Sequence, residues 1–567
     1  MRNARLVPAL LLAVALTSCA KSDSDPAKPN AWDGFVNSYL DQYFALRPDQ
    51  AVGAGRHEFD GKLPDWSPDG LAKFGAFLND QRTKALAFDS TGLDSTRRFE
   101  RDYVVARIDR DLWWLESADG PHKNPTYYSD ALDPDPYLTR PYAPLDQRMK
   151  AYTNYARAAV TAAAQIRANM KGPVARTYID RARGAFGGFA DFFKTDVPTV
   201  FTSVTDSTLR RDFKQANDSA IKAMRDLDAY FESLRPTQTE SFALGAEKFK
   251  EMLYKIERVD TPLDELERIG RADLDRNVAA LKVECAKFAP GKTLQECMAR
   301  MAAHKPAEPT PVAARRQLAT LKQFILDKNI VSIPGTEEAK VGESPPYMRW
   351  NFAYIMIPGP YEHDMPSTYY VAPPDPKWTA KEKADYLPGE MNLLFTSAHE
   401  VWPGHFLQFL HANRSPSKFG QVFVGYAFAE GWAHYAEELM WESGFGNGDP
   451  ETHIGQLSEA LLRNARFLSA IGMHTKGWTV AQSEKFFRDE GYQDPTTSKQ
   501  QAARGTFDPE YLDYTMGKLM IRKLRTDWAA SRGGQASWKE FHDKFLAYGG
   551  PPIPMVRRAM GGTGALF

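Results

Sequence analysis

The sequence predicts a mainly helical protein with a small β-sheet just before its most informative helix. Three observations carry this. Apolar residues recur at helical spacing over most of the chain, a proline-punctuated stretch near 304–390 breaks that pattern, and short β-prone runs lie inside the break. From Trp32 onward, Phe35, Val36, Tyr39, Leu40, Tyr43 and Phe44 mark one face of a helix. Between Leu209 and Leu234, residues Phe213, Ala216, Ala220, Met224, Leu227, Tyr230 and Phe231 form one broad apolar stripe. Residues 145–170, 262–286, 452–471 and 513–530 repeat the pattern. Pro306, Pro309 and Pro311 open the exception, in which 352–357 and 368–371 read as strands bounded by Pro and Gly. A sheet of two to four strands is expected there.

Composition bounds the function classes. Of 567 residues, 43% are hydrophobic and 25% charged, which suits a globular protein with a sizeable core. The formal net charge of −1 gives no support to a nucleic-acid partner, since such proteins present a basic surface. No internal repeat or long low-complexity segment is visible.

The N-terminus reads as an export signal. Arg2 and Arg5 precede an apolar run at 6–16 that is too short to span a bilayer. Leu16-Thr17-Ser18-Cys19 then resembles the end of a bacterial lipoprotein signal, which implies a leader at 1–18 and lipidation of Cys19. The alternative is an ordinary cleaved leader with Cys19 discarded. Loss of Arg2 and Arg5 takes the net charge from −1 to −3. Residues 19–31 are polar, carry two prolines and are expected to form a flexible tether. Ala20, where an Asp would favour the inner membrane, implies by resemblance to sorting signals the outer membrane, facing the periplasm. Cys285 and Cys297 form no typical metal motif; a disulfide and two free thiols are both open.

The sharpest local signal is His399-Glu400-Val401-Trp402-Pro403-Gly404-His405. It begins like H-E-x-x-H, in which two histidines on one helix face bind zinc and the Glu is the general base. Here the second His lies six positions on. At about 100° per residue, four positions give an offset of about 40° but six give about 120°. A straight helix could not aim both rings at one ion. Pro403-Gly404 supplies a break, which is expected to swing His405 back toward His399. Further on, Glu430-Gly431-Trp432-Ala433-His434-Tyr435-Ala436-Glu437 reads as a second helix offering a carboxylate. His399, His405 and Glu430 would then hold a Zn2+ ion with one position open, although manganese or cobalt would also accept such ligands. Glu437 shares Glu430's helix face. It is either the rival ligand or the group that orients a ligating histidine. His411 and His434 are lesser rivals, and Trp402 and Trp432 shape the pocket or pack.

Together, H-E-x-x-P-G-H and E-G-W-x-x-Y-x-E resemble the DUF885 family, bacterial proteins related to gluzincin metallopeptidases. Arg47-Pro48-Asp49-Gln50-Ala51, Leu63-Pro64-Asp65-Trp66-Ser67, the block from Arg463 to Thr479, and Tyr514-Thr515-Met516-Gly517-Lys518 extend the likeness over nearly all of 32–567. One departure is Ala470, where the family often has Asp. The resemblance implies a helix-rich, zincin-like metallopeptidase domain over 32–567, with up to two lobes around a cleft. It also implies that His474 or Tyr514 steadies the oxyanion. Arg463, Arg466, Lys518 and Arg522 are expected either to receive a peptide carboxylate or to sit in salt bridges. The expected reaction is hydrolysis of short peptides, with Glu400 as base and the small sheet holding the substrate by strand addition. A non-catalytic peptide-binding lipoprotein and a hydrolase of non-peptide amides or esters are the alternatives.

Overall fold

The computed structural model describes residues 31–344, 349 and 352–567. The leader at 1–18, Cys19 and the segment 19–30 lie outside the described residues.

Helices α1 (Ala31–Leu46), α2 (Leu145–Asn169), α3 (Arg176–Thr195) and α4 (Ser207–Ser233) build the N-terminal half. In α4 the Asp206 carboxylate caps the amides of Thr208 and Leu209. Its buried face is Phe213, Ala216, Ala220, Met224, Leu227 and Phe231, the stripe read from the sequence. Tyr230 sits at the edge of that stripe, its hydroxyl donating to the Met170 carbonyl at 2.7 Å. These faces join Tyr152, Tyr155, Phe186 and Phe193 of α2 and α3 in one core. Trp32, Tyr39, Tyr43 and Phe44 of α1 form a second core with Phe419 and Phe423, from near the site.

The C-terminal half holds the largest core and the site. It contains α5 (Ala246–Glu257), α6 (Leu263–Phe288), α7 (Leu294–Ala303) and α8 (Thr310–Lys328). Cys285 of α6 and Cys297 of α7 are joined as a disulfide, their Cα atoms 5.8 Å apart. Three strands follow, β1 (Ala339–Glu343), β2 (Ala353–Met356) and β3 (Ser367–Val371). Their order is β1-β3-β2, with β1 parallel and β2 antiparallel to β3. The expected small sheet is therefore present, and β2 is one of its edges. Then come α9 (Glu390–Glu400), α10 (His405–Ala412), α11 (Tyr426–Glu442), α12 (Pro450–Thr475), α13 (Pro495–Phe507) and α14 (Asp513–Ala530). Helix α12 is buried along nearly its whole length, and α11 packs between α9, α12 and α14. Among the described residues no helix is long and apolar enough to cross a membrane.

Candidate metal centre

The chain leaves helical geometry between His399 and His405. Helix α9 ends at Glu400, and Val401 takes φ −124° and ψ −75°. Pro403 has no amide hydrogen to continue the ladder. The Gly404 amide turns back to the Ala398 carbonyl at 3.0 Å. A Cβ on Gly404 would stand 1.7 Å from the His399 carbonyl oxygen, so only glycine fits here. The resulting tight break brings the His399 and His405 rings to 4.8 Å between centroids, at 87° to each other.

Helix α11 adds the carboxylate. Glu430 Oε2 lies 3.2 Å from His399 Nε2 and 3.3 Å from His405 Nε2. The ligand atoms of all three residues fall within 4.8 Å of one another. Tetrahedral zinc with bonds of about 2.0–2.2 Å sets neighbouring donors roughly 3.3 Å apart. The two nitrogen–oxygen separations match that spacing, and two nitrogens plus one oxygen is a donor set suited to zinc. The residues present therefore supply three donors that fit a zinc-like divalent cation.

Glu437 lies behind this cluster rather than in it. Fully buried, it places Oε1 2.7 Å from His399 Nδ1 and Oε2 3.2 Å from His434 Nδ1. Arg463 Nη2 stands 3.4 Å from Oε1. Burial opposes charge on Glu437, but Arg463 and His434 outweigh it and hold the carboxyl far below its usual range. Glu437 thus fixes the His399 ring with Nε2 turned toward Glu430. Burial also opposes a charged His399, yet its hydrogen bonds to Glu430 and Glu437 raise it to about 10. His405 Nδ1, by contrast, is buried with no hydrogen-bond partner among the described residues.

Glu400 closes α9 beside the two rings. Burial raises its pKa, Glu430 adds to the rise, and His405 and His399 oppose it. The Ile355 backbone of β2 also opposes the rise. The edge of the sheet therefore runs directly past this acid.

Each residue of Glu430-Gly431-Trp432 has a distinct task. Glu430 reaches the two histidines. Gly431 meets Gly517 of α14: a Cβ on Gly431 would stand 2.5 Å from the Gly517 Cα, so α11 and α14 approach almost backbone to backbone. Trp432 reaches back to the break after α9. The close approach brings Tyr514 of α14 into the site, its ring 6.2 Å from that of His399 and inclined by 19°.

His474 requires a correction. Its Nε2 donates to the Gly505 carbonyl at 2.7 Å and its Nδ1 accepts the Leu244 amide at 3.4 Å. Phe242 and Phe249 pack on the ring, and burial lowers its pKa to about 4. Both nitrogens of this neutral ring are taken by backbone, so it has no donor left for an oxyanion. His411 is likewise engaged, its Nε2 facing the Ser332 carbonyl at 2.9 Å. Lys518 and Arg522 belong to a network with Asp273 and Glu438. Two groups that sequence reading missed come from α13: Arg504, which donates to the Tyr426 hydroxyl at 2.8 Å, and Gln501, held by Arg466.

A second set of acids, Glu257, Glu510 and Asp513, also brings its oxygens within 4.8 Å of one another. It lies beneath the starts of α11 and α14, with Glu257 accepting the Ala427 amide at 3.2 Å. Burial is the main cause that raises all three, Glu257 to about 7. Their chemistry is that of carboxyls held toward the neutral form.

Fold and site together define a mainly helical protein built around a His–His–Glu cluster at a broken helix. The chain belongs to the family described as bacterial protein of unknown function (DUF885), whose model matches residues 48–560. It is similar in structure to a candidate lipoprotein of unknown function from Shewanella oneidensis, at TM-score 0.76 and 23% identity over 94% of this chain and 100% of the other. A candidate lipoprotein from Colwellia psychrerythraea gives TM-score 0.76 and 16% identity over 94% and 99%. At these identities the likeness concerns fold alone. No curated protein matches the chain.

Proposed function

We propose that this protein is a zinc-dependent peptidase of the bacterial cell envelope, with His399, His405 and Glu430 holding the ion. One observation carries the reading. A single Glu430 oxygen lies 3.2 and 3.3 Å from the Nε2 atoms of His399 and His405, with the buried acid Glu400 next to them. When bound, such an ion supplies a Lewis acid that acidifies water and polarises a carbonyl. Glu400 accepts the proton of the attacking water and delivers it to the leaving amine as the carbon–nitrogen bond breaks. Tyr514, at 8% exposure beside His399, offers its hydroxyl to the developing oxyanion. The outer edge of β2, next to Glu400, would receive the substrate as an added strand.

Attachment to the membrane rests on the Leu16-Thr17-Ser18-Cys19 signal, with Cys19 lipidated and the protein on the periplasmic side of the outer membrane. The lipoprotein descriptions of the Shewanella and Colwellia neighbours support the anchor.

The test is direct. The protein should carry one equivalent of zinc by elemental analysis and cleave members of a mixed peptide library. Glu400→Gln should keep the zinc and lose turnover by at least about 100-fold. Peptides bound but uncut by the wild type would indicate a binding protein, and cleavage of esters alone would indicate the other hydrolase reading.

A further inference from the structure

Four basic residues near the site were open to two roles, and three of them have acidic partners. Arg463 pairs with Glu437 and Glu459, while Lys518 and Arg522 pair with Asp273 and Glu438. Arg466 differs. It is 7% exposed and forms no ion pair among the described residues. Its Nε donates to the Gln501 amide oxygen at 2.9 Å, and its guanidinium lies 4.7 Å over the Tyr514 ring. Burial pushes its pKa down, and Arg504 and Arg463 push the same way. A buried charge without a counter-ion is unfavourable, so an anion that reaches it is bound favourably.

The position of Arg466 says which anion. Its guanidinium is 4.7 Å from the Tyr514 ring, which is 6.2 Å from the His399 ring, so the two ends are at most about 11 Å apart. An extended residue spans about 3.3–3.6 Å, so no more than roughly three residues fit between them. We propose that Arg466 binds the free C-terminal carboxylate of a peptide whose scissile carbonyl lies at the His399–His405–Glu430 cluster. The enzyme is then an exopeptidase that releases one to three residues from the C-terminal end. This rests on the peptidase reading above. Arginine is the residue suited to the task, because its planar fork meets a carboxylate with two parallel hydrogen bonds.

The test uses the full zinc-loaded chain with one hexapeptide in two forms, free acid and C-terminal amide. The wild type should cleave the acid roughly 10–100-fold better in kcat/KM, the range a charge-assisted hydrogen bond supplies. Arg466→Gln should bring the ratio of kcat/KM for acid over amide to about one, chiefly by raising KM for the acid. Arg466→Lys, which keeps the charge without the fork, should recover part of the preference. Arg466→Gln should also melt no lower than wild type, since it removes an unpaired buried charge. Equal cleavage of acid and amide by the wild type would overturn the inference and leave the peptidase reading standing. If neither form is cut, the peptidase reading fails. Calorimetric binding of acetyl-Ala-Ala and its amide then decides the carboxylate site. No preference for the acid overturns it, and a preference lost in Arg466→Gln supports it.

Discussion

The indole Nε1 of Trp432 donates to the carbonyl of Pro403 at 2.8 Å. This bond ties α11, two residues past Glu430, to the break that turns His405 back toward His399. The two sequence motifs are thereby one structural unit, and the tryptophan is the link. Trp432→Phe keeps most of the packing but leaves the Pro403 carbonyl unpaired in the interior, at a cost of about 1–3 kcal/mol. Metal affinity, measured by competition with a chelator, should fall together with the melting temperature. Unchanged affinity would mean that the break holds its shape without the indole.

Gly404 is the second point of control. A methyl group there meets the His399 carbonyl oxygen at 1.7 Å and the Ala398 carbonyl oxygen at 2.5 Å, both backbone atoms that cannot rotate away. Gly404→Ala should therefore displace His399 or His405 and abolish stoichiometric zinc binding, read by elemental analysis after dialysis. Gly188→Ala is the matched control, since nothing lies within 4 Å of its added methyl group in α3. It should keep full zinc content and gain about 0.5–1 kcal/mol of stability.

Glu437 acts on the ion through His399. Replacing it with Gln removes a charge-assisted bond of 2.7 Å to His399 Nδ1 and weakens the 3.4 Å pairing with Arg463. Loss of such an orienting carboxylate typically weakens metal binding about 10–100-fold. Glu437→Gln should show that drop in a zinc titration. A variant that bound zinc as tightly as the wild type would refute the orienting role.

What sequence could and could not disclose follows from the range of the interactions. Glu430 and Glu437 lie seven residues apart in one helix, where spacing sets the shared face, and His399 and His405 are linked in the sequence by the helix-breaking Pro403-Gly404 between them. Long amphipathic helices such as α4 were readable for the same reason. The strand β1 was not, because Ala339–Glu343 is polar, contains a glycine and pairs in parallel with a distant β3. His474 looked available for catalysis because nothing local announces the Gly505 carbonyl and Leu244 amide that occupy its ring. The isolation of Arg466 is a statement about acids that are not beside it, and only packing of α12 against α13 and α14 can establish that. The link between Cys285 and Cys297 likewise depends on how α6 and α7 fold together.

The acid cluster beneath α11 and α14 gives a pH prediction independent of the metal. Glu257 has an ordinary value of 4.5 and is raised to about 7, chiefly by burial. Glu510 adds to the rise, while the Ala427 amide, Arg110 and Asp513 oppose it. Asp508 bears on the same cluster through Glu510 and Asp513. The folded state therefore binds this proton more tightly than the unfolded state. Below about pH 4.5 both states are protonated and the favourable contribution is complete. As pH rises toward 7 the unfolded chain ionises first, so stability falls, and above about pH 7 the contribution is gone. Glu257→Gln keeps an acceptor for the Ala427 amide and cannot ionise. It should raise the melting temperature relative to wild type at pH 8 and leave it nearly unchanged at pH 4.5. An equal shift at both values would show that the side chain is not titrating in the fold, and a lower melting point at pH 8 would show that its negative charge is needed there.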